Sequence, residues 1–176
     1  GLYVTINGGK GWSHFTNNMP PVAVHFIDMQ KRTNDIVMGT HGRGVIILDD
    51  ISPLRELNQD VLSKKVHFFK TSPFTMEEES GFAGSFGAET QFVGPNKSTA
   101  ARIIYYLKKR HTFGKMTMEL QDMQGNKIIS LNPGKSKGIN IVTWGFNTNN
   151  PKMAAAKTLS FGGFTSPRVP EGQYKV

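Results

Sequence analysis

Apolar residues occur along this chain in short runs that alternate with polar, often glycine-rich turns. Runs of this length and spacing are typical of β-strands, which are short and need a turn at each end. In residues 22–29 the apolar side chains fall on both faces, as in a strand that is covered on both sides. The sequence therefore predicts β-structure through residues 1–50, with strands at 2–6, 12–15, 22–29, 35–40 and 45–49.

The next segment, at 50–58, has a helical and no longer a strand-like pattern. Ser52 followed by Pro53 predicts a short helix, with serine as the N-terminal cap and proline at the first helical position. Beyond this helix the chain carries weaker signals, and the stretch at 77–90 has no clear period. We interpret these signals as a linker at 59–65, a strand at 66–69 and a long loop at 77–90.

The second half of the chain is again β-structure. Met116, Met118 and Leu120 alternate with polar residues, so they share one face of a strand at 115–122. Trp144 lies in an apolar run and is expected in the core. Strands at this spacing, with no helical pattern between them, are typical of a β-sandwich. The other predicted strands lie at 101–107, 127–131, 139–146 and 173–176, and a loop is predicted at 153–166.

Composition limits the chemistry that the chain can support. The 176 residues include no cysteine, which excludes disulfides and thiolate metal sites. No apolar run reaches the roughly 20 residues needed to cross a bilayer, and no signal-peptide pattern is visible. The chain begins at Gly1, without an initiator methionine and already inside a predicted strand. We therefore expect it to be a piece of a longer polypeptide.

The net charge is +8, and the excess of basic residues lies beyond residue 59. One basic cluster comprises Lys108, Lys109, Arg110, His111 and Lys115. Such a cluster can mark a nucleic-acid surface, or it can be a lysine-rich loop that is simply solvated. We favour the solvated loop and keep nucleic-acid binding as the weakest alternative.

One spaced motif stands out in the first strands: Thr5-x-Asn7-x-Gly9-x-x-Trp12. Asn7 can accept hydrogen bonds from backbone amides of the turn, and Gly9 can adopt a backbone angle that other residues resist. Trp12 is expected to fold back over the hairpin and bury a large apolar area. The motif resembles the Asp-box of bacterial neuraminidase repeats, Ser/Thr-x-Asp-x-Gly-x-x-Trp, with asparagine in place of aspartate. The resemblance implies a structural role for these residues.

Longer segments in both halves of the chain carry two further resemblances. Residues 35–50 are similar to the final blade of sortilin-type, neuraminidase-repeat propellers of exported bacterial proteins, which are often labelled glycosyl-hydrolase-like. The run continues into residues 51–54 instead of another Asp-box, which implies that the propeller ends there. Segments 120–129, 138–144 and 169–174 resemble the immunoglobulin-like domain of the flagellar hook-cap family.

Together these resemblances imply an all-β chain in which an incomplete terminal propeller blade precedes an immunoglobulin-like β-sandwich. Residues 1–58 would be the last propeller strands with the short helix. Residues 59–100 would be a linker and long loop with an edge strand. Residues 101–176 would be the sandwich, truncated at its last strand.

The turn at 41–44 is the best candidate for a ligand contact. Successive turns of an up-and-down blade alternate between its two ends, so this turn lies at the end opposite the Asp-box turn. The resemblance to sialidase-type propellers implies that this end carries the ligand site. His41 and Arg43 are therefore candidate ligand-binding residues, and Arg43 could hold a carboxylate or a sugar hydroxyl. The alternative that we favour is that Arg43 pairs with a nearby carboxylate and fixes the hairpin.

The sequence indicates no catalytic residue, cofactor or metal site. Glycosidases need two carboxyl groups that face one substrate, whereas Asp49 and Asp50 are neighbours that point to opposite faces. We interpret Asp50 as a cap or turn former. The histidines lack the spacing of a metal site.

We therefore expect a non-catalytic structural or interaction fragment of a larger exported propeller protein. Its partners would be the remaining blades, from the same polypeptide or another chain, and a glycan or peptide could be the ligand of the parent. The expected location is outside a bacterial cell or on its surface. The alternative is a piece of a glycosidase- or sialidase-like enzyme whose active site lies mainly in other blades. Glycan hydrolysis by the parent that is abolished by changing Arg43 would favour that alternative.

Overall fold

The computed structural model of the chain describes residues 1–76, 98–150 and 166–176. These residues form mostly β-strands, arranged in several small antiparallel sheets, with few helices. The predicted all-β class is therefore confirmed. The loop predicted at 77–90, and all but the last residue of the loop predicted at 153–166, lie outside the described residues.

The strands and helices follow one another closely along the chain. The sheets have the strand orders β1-β2, β3-β4-β5, β10-β7-β6 and β8-β9. Every strand predicted up to residue 146 is present, and its ends lie within a few residues of the predicted ones. The elements are β1 (Leu2–Val4), β2 (Ser13–Phe15), β3 (Val24–Gln30), β4 (Asp35–Thr40), β5 (Val45–Leu48), α1 (Ser52–Glu56), α2 (Gln59–Ser63), β6 (Val66–Phe68), β7 (Ala101–Leu107), β8 (Met118–Gln121), β9 (Lys127–Leu131) and β10 (Gly138–Trp144).

The three-stranded sheet β3-β4-β5 buries its central residue on one face and leaves the other face exposed. Met38 in β4 lies opposite Ile27 in β3 and Ile46 in β5, and Met38 is only 1% exposed. Residues directly opposite each other on antiparallel strands point to the same side, and successive residues alternate sides. The other side, which we call the open face, therefore carries Phe26, Val37, Val45 and Ile47.

The open face exposes its large side chains. Phe26 is 78% exposed, Val45 is 65% exposed and Ile47 is 59% exposed. Gly39 lies opposite both Phe26 and Val45, so the middle strand offers no side chain between them. Exposure on this scale leaves an apolar surface in contact with water.

The short helix begins one residue away from its predicted position. Ser52 is the first helical residue of α1 and not its cap, because the cap position is Ile51, which makes no side-chain hydrogen bond. The carboxylate of Asp50 instead accepts the Ser52 amide at 3.1 Å. The Ser52 hydroxyl accepts a hydrogen bond from the Asn34 side chain at 3.3 Å. Pro53 lies in the first turn, but as the second helical residue and not the first as predicted.

The prediction of a linker at 59–65 is wrong, because Gln59–Ser63 form the helix α2. Asn58 caps this helix, and its side-chain oxygen accepts the Val61 amide at 2.9 Å. Val61 is then buried at 4% exposure against Phe69, Ile104 and Tyr106. The cap and this one apolar anchor were not recognised in the sequence.

The chain divides into two compact units. The first comprises residues 1–70, 104–110 and 137–139, and the second comprises residues 71–103, 111–136 and 140–176. This division rests only on contacts within the chain and does not test the domain boundaries predicted at 58 and 100. Those boundaries stay a prediction.

In the second unit the predicted period-two pattern is confirmed. Met118 and Leu120 in β8 are buried, whereas Glu119 between them is exposed. Trp144 is 5% exposed, as predicted for a core residue. The strand predicted at 173–176 is present only as a bridge, in which Lys175 and Gln121 exchange both backbone hydrogen bonds at 2.8 Å.

Among the described residues, none of the helices has the length and apolar character needed to span a bilayer.

A contact between a carboxylate and an imidazole connects α1 to β6 in the first unit. Glu56 Oε1 lies 2.8 Å from His67 Nε2, and Glu56 Oε2 accepts the Lys70 amide at 3.1 Å. Partial burial raises the pKa of Glu56, but the Lys70 amide and His67 together outweigh burial and hold that pKa below its ordinary value of 4.5. A carboxyl group whose pKa is lowered by folding stabilises the native state above its unfolded pKa. That contribution is lost as the pH falls through the folded pKa.

We predict that Glu56→Gln lowers the free energy of unfolding at neutral pH, and that the difference from the wild type vanishes well below the ordinary value of 4.5. Urea unfolding at a series of pH values measures it. The matched control is Glu119→Gln, which removes an exposed pair with Lys127 and changes stability by less than about 1 kcal/mol. A difference between Glu56→Gln and wild type that stays constant with pH would contradict the assignment.

Candidate functional site

The turn at 41–44 joins β4 to β5 and is fixed by backbone hydrogen bonds. The Thr40 amide donates to the Gly44 carbonyl at 3.0 Å, and the Thr40 hydroxyl donates to the same carbonyl at 2.7 Å. Gly42 and Gly44 have φ angles of 83° and 66°, in the left-handed region that favours glycine. The turn therefore holds the two residues that alternate with the glycines, His41 and Arg43, in exposed positions.

The structure places a second histidine beside His41. The rings of His25 and His41 are stacked, with centroids 5.5 Å apart and an interplanar angle of 19°. The His41 amide donates to the Ala23 carbonyl at 3.0 Å, which ties the turn to the start of β3. The spacing of the histidines along the chain gave no reason to place His25 beside His41. The pairing of the neighbouring strands β3 and β4 was the signal that could have joined the two residues.

Arg43 makes no ion pair within the described part of the chain. The favoured expectation, that Arg43 pairs with a carboxylate and fixes the hairpin, stays a prediction, because several carboxylates of the chain lie outside the described residues. Within the described residues the backbone and Thr40 fix the turn. Arg43 keeps its planar set of N–H donors for a partner that carries acceptor oxygens.

This arrangement can bind a ligand through hydrogen bonds. Two stacked imidazoles and a guanidinium offer donors to a carboxylate, a sugar hydroxyl or a peptide carbonyl. Residues 1–76, 98–150 and 166–176 contain no group of three or more His, Cys, Asp or Glu side chains that could hold a metal ion.

The neighbouring carboxylates have different surroundings. Asp50 has a φ angle of 50°, its amide donates to Asp35 Oδ1 at 2.8 Å, and its own carboxylate accepts the Ser52 amide. Asp50 is thus a turn former, as predicted, and its carboxylate is engaged in starting α1. Asp49 is exposed at the end of β5.

The turn between β1 and β2 has the hydrogen bonds that its motif predicts. The Asn7 side-chain oxygen accepts the Gly11 amide at 3.0 Å and the Thr5 hydroxyl at 3.0 Å. The Thr5 hydroxyl in turn accepts the Gly9 amide at 3.0 Å. Gly9 has a φ angle of 86°. The threonine and asparagine therefore organise the turn from its centre.

The prediction for Trp12 is wrong in this chain. Its side chain is 63% exposed, so it does not bury a large apolar area over the hairpin. Trp12 lies directly before β2. The hairpin formed by β1 and β2 has only three residues in each strand, which is too small a surface to cover an indole ring.

The second unit contains an open cavity of about 770 Å³ with a partly apolar, partly polar lining, which the sequence did not indicate. Its lining includes Trp144, Phe146 and Tyr174. The centroid of the Trp144 ring lies 5.4 Å from that of Phe146 and 5.4 Å from that of Tyr174. The polar atoms of these rings are used locally, because Trp144 Nε1 donates to the Asn147 carbonyl at 2.9 Å and the Tyr174 hydroxyl donates to the Pro170 carbonyl. The aromatic wall therefore offers contact area and no reactive group.

Comparison of the chain with protein-family models, with curated proteins and with solved structures gave no match. The resemblances carried by the motif at 5–12 and by the later segments stay predictions.

We predict that Asn7→Ala raises the hydrogen-exchange rate of the Gly11 amide about tenfold, because it removes the acceptor that this amide uses. Asn7→Asp keeps an accepting oxygen and is expected to preserve the protection. Asn17→Ala, at an exposed asparagine outside the turn, is the control and should leave Gly11 unchanged. Unchanged exchange at Gly11 in Asn7→Ala would show that the side chain does not organise the turn.

Proposed function

We propose that the chain is a non-catalytic structural and interaction part of a larger exported protein. Residues 1–58 supply the last strands of a β-propeller, and residues 101–176 supply an immunoglobulin-like sandwich that presents the propeller to a partner. The single observation that carries the proposal is the open face, where Phe26, Val45 and Ile47 are exposed on a sheet whose other side buries Met38.

The occupant that fits the open face is a neighbouring propeller blade. β3, β4 and β5 lie side by side in chain order and are joined by short turns, which is the arrangement within a blade. Blades of a propeller stack face to face around an axis, so an interior blade has apolar side chains on both sides. Ile27, which is 57% exposed on the side opposite the open face, fits the same requirement.

The ligand contact belongs to the turn at 41–44 in this proposal. His41 and Arg43 project from the end of the sheet and have donors available to a glycan or peptide ligand of the parent. Exposed donors that form no ion pair with the described residues favour binding over chemistry. In the alternative function, a glycosidase-like parent, the same two residues would contact the substrate and the catalytic carboxylates would lie in other blades.

We predict that Phe26→Ala and Ile47→Ala each lower the stability of the parent polypeptide by about 2–5 kcal/mol, because both side chains are buried between blades there. In the 176-residue chain the same substitutions change stability by no more than about 0.5 kcal/mol, because both side chains are exposed. Denaturant unfolding of both proteins measures the difference.

Two controls sharpen this comparison. Met38→Ala, on the buried side of the same sheet, should cost about 2–5 kcal/mol in the parent. Lys31→Ala, at an exposed turn position, should be neutral in both proteins. Neutral effects of Phe26→Ala and Ile47→Ala in the parent would contradict the proposal.

A further inference from the structure

An exposed aromatic ring occupies the tip of a loop in the second unit. Phe113 is 87% exposed, the largest exposure among the large apolar side chains that the structure describes. It lies in residues 111–115, which together with Lys135 we call the Phe113 loop. All of these residues belong to the second unit.

The Phe113 loop is held by defined contacts. The His111 amide donates to the Lys135 carbonyl at 2.9 Å, and the Lys135 ammonium donates to the Gly114 carbonyl at 3.1 Å. Gly114 has a φ angle of 84°, so the chain turns sharply directly after the phenylalanine. The exposure of Phe113 is therefore built into the turn.

The chain on either side of the Phe113 loop is rich in basic residues. Lys115 and Lys135 lie in the loop, Lys109 and Arg110 directly precede it in the chain, and Lys137 follows Lys135 by two residues. Neither stretch of chain, at 108–118 or at 132–138, contains an aspartate or a glutamate. Within the described residues, Lys115 and Lys135 take part in no ion pair. The contact between His111 and Lys135 thus brings together, within the second unit, Lys135 and the stretch that carries Lys115, which are far apart in the sequence.

We propose that the Phe113 loop is a peripheral docking site for an anionic lipid membrane. The ring enters the interface between head groups and acyl chains, where an amphipathic boundary accepts aromatic side chains. The lysines contact the negatively charged head groups, and their attraction falls off within a Debye length of the surface. This proposal is independent of the proposed propeller function.

The observations favour a membrane over a nucleic acid. Single-stranded nucleic acids bind to grooves with several aromatic rings, on which successive bases stack. Here a single phenylalanine ring projects from a turn. One inserted ring with flanking lysines fits a fluid, densely charged surface.

The test is co-sedimentation of the chain with vesicles of equal parts phosphatidylcholine and phosphatidylglycerol, and with vesicles of phosphatidylcholine alone. We expect reversible binding to the anionic vesicles only, lost in about 1 M salt, where the Debye length is about 3 Å. Phe113→Ala should lower the partition coefficient about tenfold, which corresponds to removing most of one buried aromatic side chain. The double variant Lys115→Gln with Lys135→Gln should lower it by a similar factor at low salt.

Matched controls come from the same chain. Trp12→Ala removes another exposed aromatic ring, and Lys10→Gln with Lys31→Gln removes two exposed cations elsewhere, so both should bind like the wild type. Phe113→Trp should show a blue-shifted fluorescence with anionic vesicles. Equal binding of Phe113→Ala and wild type, equal binding to neutral and anionic vesicles, or binding to single-stranded DNA in place of vesicles would each overturn the proposal.

Discussion

The alternation of side chains across the sheet β3-β4-β5 constrains the rest of the first unit. One row of this sheet buries Met38 almost completely, and the next row leaves Phe26, Val45 and Ile47 in water. Because successive residues of a strand point to opposite sides, no shift within the sheet could bury both rows. A three-stranded sheet with two apolar faces needs a second layer on each side, and the described residues bury Met38 on one side but leave Ile27 on that side and the open face exposed.

This constraint connects the fold to the proposed function. In the described part of this unit the prominent exposed groups are apolar side chains on a face and donors at a turn. Packing against neighbouring blades would bury the open face and leave the turn at 41–44, with His41 and Arg43, at the end of the sheet. The same residues that give the isolated sheet an unfavourable surface would then hold the ligand-binding turn in place.

Much of the fold could be predicted from the sequence, because period-two patterns and glycine turns act locally. The alternation of Met118 and Leu120 with polar residues, the burial of Trp144 and the hydrogen bonds of Asn7 all follow from the sequence. The helix α2 was missed because it is only one turn long, and a cap at Asn58 with a single buried anchor at Val61 gives no repeating signal. Ser52 was misplaced because Asp50, two residues earlier, provides the stronger acceptor.

The candidate sites were less predictable, since they depend on which segments come together. The stacking of His25 on His41 depends on strand pairing, and the joining of two basic stretches at the Phe113 loop depends on one backbone hydrogen bond between His111 and Lys135. Trp12 was predicted as buried from the motif alone, although the size of the surface beneath an indole decides its burial.

Hydrogen exchange of the β3–β5 amides, compared between the 176-residue chain and the parent polypeptide, tests the central claim most directly. The account predicts that these amides exchange much faster in the chain alone, because the open face has no covering layer there, and that they become protected in the parent. Equal and strong protection in both proteins, with one cooperative unfolding transition for the chain alone, would contradict it.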